Sequence, residues 1–417
     1  MIKEIIKATE KKTELSVVNG KIISVLRSDN VKTGIRMYAD GAIGIAGAIG
    51  AYDEQKLTDK AKHMLNFKLP YQAKPTENIK QNLDFSSELK VTDEEFVQKS
   101  RELLELLEER FPKWMFSHKM ELLQTGQSLT NANGVDLIQN DRFVKIILAM
   151  KFRESKNLFD DFVGYSAREY DINEIIRIVT EKCEAYEQKK GLETEGKIAV
   201  VMEAGSGMSA GLKFVTDLRG DVFGSGASLF SGKIGQELFH KDFSLQINRN
   251  TKTHCGMTFF DGEGTVLENN QYALIDNGVL KSPYTNKRMA QQFGFDVTGA
   301  ASLAYNEAPA LAMGALSIKR GEKTIKELLG GRPAIYAASA AGGDFTPQGE
   351  FSSPVQLAYY FDGEKMQGRL PQLSMMSNVF DMFGKDFIGA SSNSVNNGIS
   401  NGYVAFEMDI KKIGEWM

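Results

Sequence analysis

Residues 198–220 read IAVVMEAGSGMSAGLKFVTDLRG: an apolar run, a glycine-rich turn, then a segment with helical spacing. How this turn is read decides what kind of domain the second half of the chain forms. Strand, turn and helix together are a common frame for an active site, and three motifs fit. Gly205, Gly207 and Ala210 make G-x-G-x-x-A, a turn that admits a pyrophosphate to a helix N-terminus. Gly207, Ser209 and Gly211 make G-x-S-x-G, an elbow that exposes a nucleophilic serine. In the third, the helix after Ser209 carries metal ligands one turn apart, since positions i and i+4 share a face. Beside these stands the plain reading, in which small residues simply link a strand to a helix.

The surroundings weigh against the first two. A dinucleotide fold needs successive βαβ units and an acidic residue ending the next strand. Here DVFGSGASLFSGKIG (221–235) follows, with no second parallel strand. A serine elbow needs an acid and then a histidine after further βα units. His240 and His254 instead fall in segments with antiparallel-strand character.

Outward from this stretch, the second half is dense in glycine and poor in long helices. KDFSLQINRN, QYALIDNGVLKSPY, ALSIKRG, SPVQLAYYFDGEKMQG and NGYVAFEMDIKK read as strands or hairpins. Short helices are expected at 286–292, 323–329 and 376–384. The first half reads differently. MIKEIIKATEKK has apolar residues at helical spacing and is expected to be a helix. The following ELSVVNGKIISVLRSDNVKTGIRMYADGAIGIAGAI alternates around Asn-Gly and Asp-Gly, the signature of a β-meander. Residues 53–65 look helical. Residues 93–110 place Phe96, Leu103, Leu104 and Leu107 on one face of an amphipathic helix. Two short strands, WMFSHKMELLQT and DRFVKIILAMKFRE, and a helix through DINEIIRIVTEKCEAYEQKK complete it. The expected architecture is α+β. Residues 1–192 form an N-terminal domain with an antiparallel meander plus helices; 193–417 form a β-rich C-terminal domain with few helices.

The chain has 417 residues, 42% hydrophobic and 25% charged, enough for two globular domains. Its 50 basic and 54 acidic residues give a net charge of −4, with no basic field for nucleic acid or an anionic membrane. Two cysteines, Cys183 and Cys255, make no disulfide framework and suit a reducing cytoplasm. The N-terminus lacks the features of a signal peptide, and GAIGIAGAIGA (41–51) is too short to span a bilayer. A cytoplasmic protein is expected.

Taken together, several blocks resemble the TldD/PmbA family, formerly called modulators of DNA gyrase. FDGEGTVLENNQYALIDNGVLKSPYTNKRMAQQFG is similar to its F-D-x-E-G, I-x-x-G-V-L and D/N-x-R-x-A sequence. The matching residues are Phe260, Asp261, Glu263, Gly264, Ile275, Gly278, Val279, Leu280, Asn286, Arg288 and Ala290. Residues 314–329 and 349–365 look like two further blocks, and Gly34, Arg36, Gly41 and Gly44 stand where the family's opening meander has them.

The resemblance implies a specific chemistry. TldD-type members look like zinc peptidases, with H-E-x-x-x-H on the helix after the first strand of the C-terminal domain and a late cysteine as third ligand. Imidazoles bind zinc, which lowers the pKa of its bound water toward ~7, and the glutamate acts as general base. Laid on this chain, the first histidine falls at Leu212, the glutamate at Lys213 and the last histidine at Asp217. No histidine lies between His118 and His240, and no cysteine follows Cys255. The resemblance therefore implies a TldE/PmbA-like member without metal or other cofactor. Zinc would belong to a TldD-like partner, the assembly would be with that partner or with a second copy, and the substrate would be an unfolded peptide.

Other ligand-capable residues leave alternatives open. His240, His254 and Cys255 could form an improvised metal site or be hydrogen-bonded strand residues. Glu203 and Asp261 could form a catalytic carboxylate pair. Ser209 could N-cap the helix, with Leu212, Phe214, Val215 and Leu218 as its packing face, or serve as a nucleophile in a stand-alone hydrolase. A non-catalytic peptide-binding scaffold is the remaining alternative.

Overall fold

The chain begins as a strand, contrary to the helix expected for its first twelve residues. β1 (Ile2–Val18), β2 (Lys21–Ala39) and β3 (Ala42–Ile49) form the anticipated meander. Asn19, Gly20, Asp40 and Gly41 all have positive φ at its two turns, the conformation that two-residue hairpins require. The helical spacing of Ile2, Ile5 and Ile6 misleads because both faces of β1 are used. Ile6 packs with Leu129, Phe259 and Phe260, while Ile5 packs on the opposite face with Ile35 and Met37. A strand covered on both sides loses the simple alternation of a half-buried one.

The computed structural model describes residues 1–204, 209–313, 315–340, 342–393 and 402–416. After the meander come α1 (Glu54–Met64), β4 (Lys80–Asp84), α2 (Asp93–Arg110), β5 (Trp114–Asn131), β6 (Val135–Phe152), β7 (Asp161–Ala167) and α3 (Ile172–Glu187). β5 and β6 are far longer than expected, running up to a tight turn at 132–134. The sheet order is β3-β2-β1-β5-β6-β4, with β7 also paired to β6. α2 starts at a capping box of Thr92 and Glu95. Its Phe96, Leu103, Leu104 and Leu107 are buried as anticipated.

The second half holds β8 (Gly196–Glu203), α4 (Leu212–Asp217), α5 (Gly220–Gly224), β9 (Leu245–Asn248), β10 (Gln271–Asp276), β11 (Val279–Leu280), α6 (Lys287–Phe293), β12 (Leu316–Ile318) and α7 (Ile325–Leu329). These are followed by β13 (Ala334–Ala340), β14 (Asp344–Phe345), β15 (Glu350–Phe361), β16 (Met366–Arg369), β17 (Leu373–Asn378), α8 (Val379–Met382), β18 (Phe387–Ala390) and β19 (Tyr403–Lys412). The mixed α+β, strand-rich character read from the sequence is what the structure has. β13, β8, β19, β17 and β15 pair in turn, and β15 pairs back to β13, closing a ring. β9–β12 form a separate four-stranded sheet. Among the described residues no helix is long and apolar enough to cross a membrane.

The largest core crosses from one half of the chain to the other. Leu103, Phe116 and Ile178 pack with Val201, Tyr336, Tyr359 and Tyr403. Inside it lies Lys182 of α3, whose ammonium sits 3.0 and 3.1 Å from the two oxygens of Asp161. Tyr359 donates to the same carboxylate at 3.2 Å. Burial opposes the Lys182 charge, but Asp161 and Glu203 outweigh it and hold its pKa above the ordinary lysine value. Removing one partner of such a pair strands a charge away from water. Lys182→Met is expected to destabilise the fold by about 3–5 kcal/mol. The Lys182→Met/Asp161→Asn double variant should lose much less than the sum of the single losses. Denaturant unfolding of the four proteins checks this, and additive losses would contradict it.

Candidate functional site

The helix singled out by the sequence is built on the ring. β8 lies between β13 and β19, and its chain leads, through a turn at Ser209–Gly211, into α4. Phe214 anchors α4 in a cluster of aromatic rings, 4.7 Å from Phe383 and 5.7 Å from Phe230 between centroids. Leu218 is buried with it. The expected packing face is corrected at one position: Leu212 is 38% exposed, whereas Lys213 and Asp217 are turned inward. Gly211 occupies the N-cap position of α4. Gly205, Gly207 and the Ser209 side chain, which carry the dinucleotide and nucleophile readings, lie outside the described residues.

Lys213 and Asp217 pair with each other. The ammonium is 3.2 Å from Asp217 Oδ1, both side chains are 9% exposed, and the spacing is the i, i+4 of one helix face. The other carboxylate oxygen, Oδ2, accepts the Leu229 N–H at 2.8 Å, and Thr216 Oγ1 donates to Oδ1 at 3.0 Å. Lys213 also reaches the Pro347 carbonyl at 3.4 Å. The set does not fit zinc. Leu212 has no donor atom, a protonated lysine has no free lone pair, and Asp217 already meets a cation and an N–H.

The other candidates are scattered. His240 and His254 lie in loops on either side of β9, outside the strands where they were expected. His240 Nδ1 accepts the Asp242 N–H at 3.2 Å, and His254 Nδ1 lies 2.9 Å from Thr253 Oγ1. Burial pushes the Cys255 thiol up to about 11, which keeps it protonated at neutral pH and a poor nucleophile. Glu203 accepts from Tyr336 Oη at 2.8 Å, whereas Asp261 accepts N–H groups from Glu263, Thr265 and Ala301 at 2.8–3.0 Å. Those two carboxylates thus serve different networks. Among the described residues no three His, Cys, Asp or Glu side chains converge to hold a metal ion.

A second polar centre, around Glu263, escaped the sequence reading as a centre, although Gly34, Arg36, Asp261, Glu263 and Asn286 were named. Arg36 of β2 is wholly buried. It donates to the carbonyls of Gly262 at 2.5 Å and Ala304 at 3.0 Å and pairs with Glu4 at 3.3 Å. Gly34 and Gly262 permit this approach, since a Cβ at either would collide with the backbone of Tyr305 or Ser302. Tyr71 donates to one oxygen of Glu263, and the Lys287 N–H donates to the other at 2.7 Å. Asn286 N-caps α6 through Met289 N. These Gly, Arg, Asp, Glu and Asn residues bind the meander to the second half. Their common signal in the sequence was their type: charged and amide residues within apolar or glycine-rich stretches.

The sequence model described as the PmbA/TldA metallopeptidase C-terminal domain matches residues 195–411. An uncharacterised protein of Methanocaldococcus jannaschii is 23% identical over 392 residues, 89% of this chain and 88% of that protein. A metalloprotease of Methanothermobacter thermautotrophicus is 25% identical over 163 residues, 39% of this chain and 35% of that protein. In fold, the chain is similar to the crystal structure of TldE from Thermococcus kodakarensis. The TM-score is 0.82 at 17% identity, over 99% of this chain and 97% of the other.

Two outcomes follow from the buried charges. Lys213→Met should cost about 3 kcal/mol by stranding Asp217, and Lys213→Met/Asp217→Leu should recover most of that loss in chemical denaturation. For Glu263, burial first and the Asp261 charge second raise the carboxyl from 4.5 to about 7. Between those values the folded chain keeps a proton that the unfolded chain releases. Stability should therefore fall as pH rises through this window and level off above it, by at most about 3 kcal/mol. Thermal melts from pH 4.5 to 8 should show a flatter profile for Glu263→Gln, and an unchanged slope would contradict the assignment.

Proposed function

From the membership of this chain in the TldD/PmbA family, we propose that it is a metal-free, TldE/PmbA-like subunit that supports peptide processing by a zinc metallopeptidase partner. The observation carrying this reading is the Lys213–Asp217 pair. An ammonium and a carboxylate occupy helix positions that, by resemblance, correspond to the general base and a metal ligand of TldD-type members. The pair neutralises itself within the helix, and a single aspartate beside a protonated lysine does not make a metal site. Phe214 and Leu218 keep the helix packed, so the frame remains without its chemistry. The role left to the chain is to complete or stabilise the cavity in which a partner acts. A peptide held there by main-chain hydrogen bonds would need no particular side-chain sequence.

The test is metal analysis joined to a peptidase assay on unfolded peptides, run with and without a relative that carries H-E-x-x-x-H. The expected result is no stoichiometric zinc in this chain, no cleavage by it alone, and cleavage that rises when it is added to the relative. Chelator-sensitive cleavage by this chain alone would overturn the proposal. Failure to enhance any zinc-bearing relative would replace it with the scaffold reading.

A further inference from the structure

α1 ends in an exposed apolar knob held on a stiff base. Its inner face buries Leu57 and Ala61 against Ile35 and Met37. Gly44 of β3 admits the helix, since a Cβ there would lie 2.1 Å from the Ala61 carbonyl oxygen. A 3-10 turn at Leu65–Phe67 follows, and Lys68, at φ +50°, reverses the chain. Past the reversal the Leu69 carbonyl accepts the Ile43 N–H at 3.0 Å, and the Tyr71 N–H donates to the Gly41 carbonyl at 2.7 Å. Both ends of the turn are therefore tied to the meander. Yet Met64, Phe67 and Leu69 are 42%, 68% and 46% exposed. Met64 and Phe67, three residues apart, lie on one side of the turn. The His63 ring stands edge-on to Phe67, at 6.1 Å between centroids.

The charge around this knob has one sign. From Lys60 to Thr76 the chain has four lysines and no aspartate or glutamate. The acids at the start of α1 already have partners: Glu54 pairs with Lys3 at 2.6 Å, Asp53 with Lys56 at 3.9 Å and Asp59 with Lys62 at 3.8 Å. Lys60, Lys68 and Lys74 are exposed and make no ion pair among the described residues. The whole chain carries −4, so this surplus is local. We propose that the knob docks the chain peripherally on an anionic lipid bilayer. Met64, Phe67 and Leu69 enter the boundary between headgroups and acyl chains, and the lysines meet lipid phosphates. Apolar residues framed by lysines suit such an interface, because lysine stems keep their ammonium groups in water while the apolar part sinks. All the unpaired cations are lysine, the residue depleted from protein–protein interfaces, which favours a bilayer over an acidic protein. A second copy on this face would set these lysines against each other. The proposal does not depend on how α4 is read.

Flotation of the full chain with lipid vesicles tests this. Vesicles of equimolar phosphatidylcholine and phosphatidylglycerol should carry the chain at low ionic strength, and vesicles of phosphatidylcholine alone should not. Added salt should release it. Lys60→Gln, Lys68→Gln and Lys74→Gln should each weaken binding by roughly fivefold. Phe67→Asp should abolish binding with far-ultraviolet circular dichroism unchanged. Leu158→Asp, at an apolar site elsewhere that is 89% exposed, should bind as the wild type does. Lipid brominated in its acyl chains should quench the added indole of Phe67→Trp and not that of Leu158→Trp. No flotation, equal flotation on neutral vesicles, or quenching at residue 158 alone would overturn the proposal. So would self-association, or binding to a zinc-bearing relative, that Phe67→Asp removes while vesicle binding stays.

Discussion

A guanidinium with no access to water ties the two halves of this chain together. Arg36 leaves the N-terminal meander and ends on two carbonyls of the second half, with Glu4 balancing its charge. Such a group is tolerated because its charge is balanced and both terminal nitrogens find acceptors, although its Nε–H finds none among the described residues. An unpaired buried charge would cost several kcal/mol. The backbone of residues 262 and 304 must therefore stay where the meander can reach it. Gly34 and Gly262 make the approach possible, and the Tyr71–Glu263–Lys287 contacts repeat the join a few residues away. A third join lies in the core, where Tyr359 of the second half reaches the Lys182–Asp161 pair. The ring of strands that carries α4 is thus held against the first sheet by polar contacts as well as by apolar packing.

On that frame, α4 separates position from chemistry. Its backbone follows a ring strand, and Phe214 and Leu218 fix it by burial. Neither constraint says what Lys213 and Asp217 must be. Inward-turned positions next to an aromatic cluster accept charge only in neutral pairs, and a lysine four residues before an aspartate provides one.

Much of this was legible in the sequence, for identifiable reasons. Asn19-Gly20 and Asp40-Gly41 marked the meander because few other dipeptides accept positive φ at both positions. α2 was legible because Phe96, Leu103, Leu104 and Leu107 lie on one buried face and its charged residues on the other. β1 was not, since its two faces bury Ile5 and Ile6 against different partners and the pattern mimics a helix. β5 and β6 were read too short because strands in the middle of a sheet tolerate polar residues such as Gln127 and Asn140. β4 left no signal, as five residues pairing in parallel with β6 carry no turn of their own. At the candidate site, the absence of imidazoles was plain. The inward turn of Lys213 and Asp217 was not, because a shift of one residue in helix phase exchanges Leu212 for Lys213. Glu263 and Arg36 were named by resemblance, but Tyr71 and Thr76 were not, since they reach Glu263 by contacts more than 180 residues apart in sequence.

The central claim is that α4 presents an internal ion pair where a metal centre would otherwise stand. Anomalous diffraction at the zinc edge, from crystals of the chain grown with zinc, measures this directly. The account predicts no anomalous peak along the inward face of α4, with Lys213 Nζ within hydrogen-bonding distance of Asp217. A strong peak bonded to Asp217, with Lys213 displaced, would contradict it.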